Sequence, residues 1–390
     1  MQKSQPSEKI FSFQLPRKIL FGVNASETAG AEAKALGGKE ALLVTDGNMA
    51  KLGVSGKIVE SLVKEGLKVD VFDAVDPEPV IEVAETVAKA ARKKRYDVVV
   101  GVGGGSVLDM AKVAAVAPTN PGPMRSYVGV DLVKEPGVPT VLLPTTSGTG
   151  SEVTNVAVVT IAEDEMKTSI ISPHIFGHVA IVDPTLTYSL PPRLTASTGL
   201  DALSHALEAL ISVNSSPITD ALAYQAVNLI YRNLLNAQRK GDPESRYGMS
   251  LGSLIAGMAF GSAGVCLGHA AAYSFAVSHR VTHGVSCGLV LPYIFRFSAP
   301  AIPQKLPEAA RAMNFDVESL KSGEMGDAIS DAILKLMGEL QVPRRLRDVG
   351  ITREDLPKLA DKLFSLKRLI LRCPRQPSKE DALKLFEEMW

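Results

Sequence analysis

Through the first half of the chain, short runs of β-branched residues alternate with stretches whose apolar positions recur at helical spacing, the pattern of a parallel sheet covered by helices. "KEALLVTDG" predicts a strand ending at Asp46, "GVSGKIVESLVKEG" an amphipathic helix, "KVDVFDAV" a strand and "PVIEVAETVAKAARKKR" a second helix. "YDVVVGVGGGSVLDMAKVAAVA" reads as strand, glycine turn and helix, "VPTVLLPTTSGTGSEVTN" as a strand with a hydroxyl-rich loop, and "VAIVDP" as the last clear strand. Beyond "DPTLTYSLPPRLTASTG" the spacing is helical, in "DALSHALEALIS", "TDALAYQAVNLIYRNLLNAQRKG", "EMGDAISDAILKLMGELQ" and "KEDALKLFEEMW". The pattern therefore predicts an α/β domain over residues 1–185 and an all-helical domain over 186–390.

One stretch imitates a membrane segment. From Tyr247 to Ser278 the chain carries no Asp, Glu, Lys or Arg and is long enough to span a bilayer. The internal "GSAG", the Gly and Ser content and a histidine predict two core helices instead.

Lys and Arg balance Asp and Glu at 42 each, and no basic run is interleaved with aromatics, so nucleic acid is excluded as a partner and a small molecule is favoured. The three cysteines, Cys266, Cys287 and Cys373, lie far apart without a CxxC, which excludes a thiolate zinc site and fits a reducing, cytoplasmic compartment. The opening "MQKSQPSEKI" lacks the apolar core of a signal peptide and is expected to be a loose end.

Two loops carry phosphate chemistry. In "VVVGVGGGSVLDMAK" a strand runs into Gly103, Gly104, Gly105 and Ser106 and a helix follows at once, so glycines admit a phosphate to the backbone and the helix N-terminus attracts it. The usual dinucleotide fingerprint is incomplete, because Ser106 stands at its third glycine and no acidic residue follows about 20 positions on; an acidic strand end exists earlier, at Asp46. "PTTSGTGSE" adds hydroxyls and glycines at another strand end, and Lys167 is a possible cation or simply surface.

A metal site is the second candidate. Asp201 and His205 in "TGLDALSHALEAL" are four apart on a helix and point from one face. His269 and His283 would be about 21 Å apart on one straight helix, so sharing an ion requires the chain to reverse between them, and "SHRVTHG" supplies a turn. The pairs His279 with His283 and His174 with His178 are also four apart but sit in poorer contexts. One Asp with three His leaves an open position and suits Fe²⁺ or Zn²⁺ as a Lewis acid for an alcohol or carbonyl oxygen.

Taken in order, "VTDGNMAKLG", "DPEP", "GVGGGSVLDMAK", "LPTTSGTGSEVT", "KTSIISP", "IVDPTLT", "TGLDALSHALEA", "GHAAAY" with "THG", and "CPRQPSKEDALKLF" resemble the iron-containing (group III) alcohol dehydrogenases over essentially the whole chain. The resemblance implies a Rossmann-like dinucleotide-binding domain and an all-helical metal-binding domain, in the dehydroquinate synthase-like arrangement, with the site in the cleft between them. It implies metal ligands at Asp201, His205, His269 and His283. It places the pyrophosphate loop at Gly103, Gly104, Gly105 and Ser106 with Asp109 behind it, the cofactor lining at Thr145, Thr146, Thr149, Thr154 and Lys167, and the ribose contact at Asp46. A carboxylate at Asp46 accepts from a ribose hydroxyl and repels a 2′-phosphate, which favours NAD over NADP. Two positions depart from the family: Tyr273 stands where a histidine relay is usual, and Glu78 where an Asn is common.

The expected activity is reversible hydride transfer between NAD(P) and a small primary alcohol, diol or aldehyde, with the proton passing through Tyr273, water or a ribose hydroxyl, in a homodimer or larger oligomer. The alternative, a dehydroquinate synthase-like or polyol-phosphate-type enzyme, requires convergent cations, and "TGLDALSHALEAL" and "GHAAAYSFAV" have none. That favours a weakly charged substrate.

Overall fold

The structure is a computed structural model that describes residues 9–321 and 323–390. Residues 1–8, most of the expected loose end, lie outside the described residues.

The described strands are β1 (Lys18–Phe21), β2 (Glu40–Val44), β3 (Lys68–Phe72), β4 (Val98–Gly103), β5 (Gly129–Val130), β6 (Thr140–Pro144), β7 (Val156–Ile161), β8 (Met166–Ile171) and β9 (Val179–Val182). Six form a parallel sheet in the order β1-β9-β6-β4-β2-β3, and β5-β8-β7 form a smaller sheet in which β7 and β8 run antiparallel. Every residue of β4 and β6 is buried, as strands covered on both faces require. Successive side chains point to opposite faces. Leu42 and Val99 pack with Ala84 and Val87 of α4 (Ile81–Ala91) and with Met110 of α5 (Gly105–Val116), while Leu43 and Val100 pack with Ala29 of α1 (Ala29–Ala35) and with Ile58 and Leu62 of α3 (Val54–Lys64). The short helix α2 (Gly47–Lys51) follows β2 directly, and the Asp46 carboxylate caps it.

Between the end of β9 and Pro192 the architecture changes from sheet to helices. These are α6 (Pro192–Ile211), α7 (Pro217–Arg239), α8 (Pro243–Ala263), α9 (Leu267–Phe275), α10 (His283–Ser298), α11 (Leu306–Ala312), α12 (Met325–Glu339), α13 (Leu356–Ser365), α14 (Lys367–Ile370) and α15 (Lys379–Met389). The helices α6, α7 and α8 each begin with proline, whose fixed φ suits a first turn, and Ser216 with Thr219 closes a capping box on α7. The charge-free stretch from Tyr247 is divided between α8 and α9, which meet at 101°, and no single helix among the described residues is long and apolar enough to cross a membrane.

α6 lies at the centre of this half, packed by α7, α8 and α10 and buried almost throughout. A helix apolar on all sides is ordinary in that position. Asp201, His205 and Glu208 are buried in it as well, each at most 4% exposed, and charged or polar groups so placed need partners.

Candidate metal centre

The partners of Asp201 are imidazoles. Its Oδ1 lies 3.5 Å from His283 Nε2, 3.8 Å from His205 Nε2 and 3.9 Å from His269 Nε2. These separations are too long for hydrogen bonds, and Oδ1 is a buried oxygen with no hydrogen-bond partner. Three imidazole nitrogens thus face an orphaned carboxylate oxygen, although His205 lies outside the group of ligand atoms that are mutually within 4.8 Å. Such a donor set fits a divalent cation.

The fold brings them together in three steps. Asp201 and His205 are one turn apart on α6. His269 stands in the first turn of α9, and the chain reverses over residues 276–282 before His283 opens α10, so the expected reversal is present. His279 falls on the far side of that turn, 3.6 Å from Asp355, and His178 accepts from the Thr140 N–H, so neither joins the cluster.

Two buried acceptors aim the rings. His269 Nδ1 is 2.9 Å from Glu208 Oε1, and His205 Nδ1 is 3.2 Å from the Gly148 carbonyl; donation from each Nδ1 leaves Nε2 free as a ligand. Glu208 also accepts from the Cys266 N–H, and a Cβ at Gly268 would collide with it. Glu208 escaped the sequence reading, although Asp201, His205 and Glu208, at spacings of four and three, share one stripe of α6.

Burial pushes the Asp201 carboxyl up, but the facing imidazoles of His205, His283 and His269 more than offset it and leave it below the usual carboxylate range. Burial lowers both His205 and His283, against the opposing pull of the Asp201 charge. Desolvation acts the same way on His269, yet the Glu208 charge and hydrogen bond raise it overall.

Cys287, set aside from metal chemistry on sequence grounds, reaches this cluster one turn after His283. Its Sγ is 3.7 Å from His269 Nε2 and from His283 Nε2, and Asp201, His269, His283 and Cys287 have ligand atoms within 4.8 Å of one another. Burial raises its thiol well above the ordinary value, which disfavours the thiolate that a metal would bind.

The cluster opens on a cleft of about 490 Å³ that reaches the carboxyl ends of β2, β4 and β6. Asp46, Gly104, Gly105, Ser106, Asp109, Thr145, Thr146, Thr149, Thr154, Lys167 and Tyr273 all line it. Gly103 does not: it ends β4 beneath the turn, where a Cβ would strike Val107. A Cβ at Gly105 would press on Thr149, so both glycines are required by packing. Asp46 Oδ1 accepts from the N–H groups of Asn48 and Met49, leaving Oδ2 unengaged. Asp109 is fully committed within the protein, accepting from Ser151 Oγ at 2.6 Å and the Val158 N–H at 2.9 Å, with Lys112 at 3.4 Å. Thr154 Oγ1 meets the same Lys112.

Glu78 spans the two halves. Its Oε2 pairs with Lys167 at 3.1 Å, and its Oε1 accepts from the backbone N–H of His283 at 2.9 Å. Its own N–H donates to Ser106 Oγ, in a left-handed backbone at φ 53°. The Tyr273 ring lies 5.9 Å from that of His269 and 5.6 Å from that of His283, and burial raises its hydroxyl above the ordinary phenol value. The expectation that the cleft holds few cations is corrected: Arg368 and Arg372, distant in sequence from the ligands, line it too.

Residues 16–184 match the family model described as iron-containing alcohol dehydrogenase, and residues 195–390 match that of the C-terminal region of the same family. The long-chain-alcohol dehydrogenase 1 of Geobacillus thermodenitrificans is 37% identical, over 94% of this chain and 93% of that one. A crystal structure of 1,3-propanediol oxidoreductase superimposes with a TM-score of 0.94 at 35% identity, covering 98% of this chain and 100% of that chain. A sulfoacetaldehyde reductase from Bifidobacterium kashiwanohense, solved with NAD⁺, gives 0.88 at 30% identity, covering 98% and 99%.

Proposed function

From the premise that the chain belongs to the iron-containing alcohol dehydrogenase family, we propose which of its residues carry the reaction. It is an oxidoreductase that interconverts alcohols and aldehydes with a nicotinamide dinucleotide as hydride carrier, and the lyase alternative falls away.

Asp201, His205, His269 and His283 would hold the cation. The unpartnered Asp201 Oδ1 among three imidazole nitrogens is the observation that carries this reading. Iron or another divalent ion supplies Lewis-acid polarisation of an alcohol or aldehyde oxygen when bound. Glu208 and the Gly148 carbonyl keep two rings in the ligating tautomer. Tyr273 retains its proton at neutral pH and lines the cleft, so it serves as a donor rather than a base.

The residue 1–185 half would bind the dinucleotide and the 186–390 half the metal and substrate. The first N–H groups of α5, at Gly105 and Ser106, have no partners within the helix and with Gly104 form the phosphate cradle. Thr145, Thr146 and Thr149 supply hydroxyls along it. Asp109, Thr154 and Lys112 act from behind, by fixing the loop, and Gly103 by letting the strand turn. Asp46 Oδ2 would accept from a ribose hydroxyl, which favours NAD over NADP. A homo-oligomer would form through an exposed edge such as β3, where Val71 is 49% exposed. Three buried, unbridged cysteines suit the cytoplasm.

Purification without oxygen, metal analysis and a panel of aldehydes with NADH and NADPH test the reading. It expects about one ion per chain and NADH-dependent reduction. Asp46→Gly should raise the NADPH-to-NADH efficiency ratio about tenfold; an unchanged ratio refutes the cofactor preference.

A further inference from the structure

Arg368 and Arg372 stand four apart on α14 and its exit, and both line the cleft beside Tyr273. Leu369, Ile370 and Cys373 are buried, so the segment turns its apolar side to the core while Arg368 and Arg372 line the cavity. Neither has a carboxylate within ion-pair distance among the described residues. Arg372 faces Arg368, a like charge, and the Cys266 thiol, and Arg368 faces the Tyr273 hydroxyl. Burial lowers both from the usual guanidinium value, and for Arg372 the neighbouring cation adds to that.

By contrast, Arg296 holds Asp327 and Asp331, Arg125 holds Glu163, and Lys167 in the same cleft is taken by Glu78. Room for Arg372 is made in the backbone. Gly264 ends α8 at φ 76°, and a Cβ there would collide with the Arg372 guanidinium. Arg372 is half-buried with the exposed Arg368 beside it, and an anion between two unpaired like charges relieves their repulsion.

We propose that Arg368 and Arg372 form an oxyanion subsite, so that the preferred substrates are short aldehydes and alcohols bearing a carboxylate or sulfonate at the far end. The inference rests on the alcohol–aldehyde reading of the same cleft. A planar guanidinium matches either acid with two parallel hydrogen bonds. In the reductive direction the carbonyl carbon accepts a hydride from the reduced nicotinamide and the oxygen accepts a proton. The C=O π bond is replaced by C–H and O–H bonds, the dinucleotide leaves oxidised, and the acid group is unchanged. The dinucleotide phosphates have their own cradle at the start of α5, whereas the arginines come from the helical half near His269 and His283.

The test compares kcat/KM for succinate semialdehyde against butanal, and for sulfoacetaldehyde against propanal, in the wild type, Arg368→Ala, Arg372→Ala and Arg372→Lys. The wild type should prefer the charged member of each pair. Each alanine variant should reduce that preference by about 10- to 100-fold, the range for a charge-assisted hydrogen bond, with Arg372→Lys in between. Preference for the carboxylate alone or the sulfonate alone identifies which acid the subsite takes. An absent preference, a ratio unchanged by substitution, or an effect confined to the KM for NADH overturns the proposal. Calorimetric titration with succinate and with ethanesulfonate adds a readout without turnover: binding to the wild type and not to the double alanine variant upholds the subsite even if no aldehyde is reduced. In that event it is the dehydrogenase reading that fails.

Discussion

Replacing Glu78 by Ala should weaken the metal site from the opposite half of the molecule. Glu78 Oε1 accepts from the N–H of His283, the first residue of α10, at 2.9 Å. A charge-assisted hydrogen bond at a partly exposed carboxylate contributes about 1.5 kcal/mol. An anion at a helix N-terminus adds about 0.5 kcal/mol. If that sum of about 2 kcal/mol is spent on fixing the His283 backbone, its loss corresponds to about 30-fold in metal affinity. Glu78→Gln keeps a neutral acceptor of similar reach, so its loss should be about fivefold. Competition between the protein and a chelator of known affinity, with zinc as the probe, measures both. Equal affinity in the wild type and Glu78→Ala would refute the idea that this carboxylate braces the ligand.

Three further outcomes follow from buried groups. Glu208→Gln, which cannot accept at both oxygens, should cost about 10- to 100-fold in metal affinity by the same competition, as loss of a group that orients a ligand typically does. Cys287→Ala should leave one ion per chain on metal analysis, because four other donors remain. Burial raises Glu152 from 4.5 to about 7, so between those values the folded protein binds more protons than the unfolded chain and stability falls as pH rises through that window. Glu152→Gln should therefore stabilise the protein by about 1–3 kcal/mol at pH 8 and by little at pH 4.5, measured by urea unfolding at each pH; equal gains at both would contradict the burial argument.

The parallel strands β2, β3, β4, β6 and β9 were legible because their β-branched runs end at glycine or polar turns. The hairpin of β7 and β8 was not: "VAVVTI" and "MKTSII" follow the hydroxyl loop and pair with each other and with β5 rather than with the main sheet, so their role depends on register that local pattern does not encode. α6 begins nine residues before the predicted "DALSHALEALIS", since its first turns are rich in Thr, Ser and Gly held by packing rather than propensity. In the site, Asp201 with His205 was readable as a helical pair, and His269 with His283 through the need for a turn. Cys287, Arg368 and Arg372 were not, and Glu78 showed only as a departure from the family, because only tertiary packing brings a thiol, a β3-to-α4 loop and the α14 segment to one cleft.

X-ray absorption at the edge of the bound metal, on protein purified without oxygen, tests the centre most directly. The account predicts a shell of nitrogen and oxygen near 2.0–2.2 Å, with the outer-shell scattering of three imidazoles and no sulfur. A sulfur at about 2.3 Å, or fewer than three imidazoles, would contradict it and give the fourth place to Cys287 instead of His205.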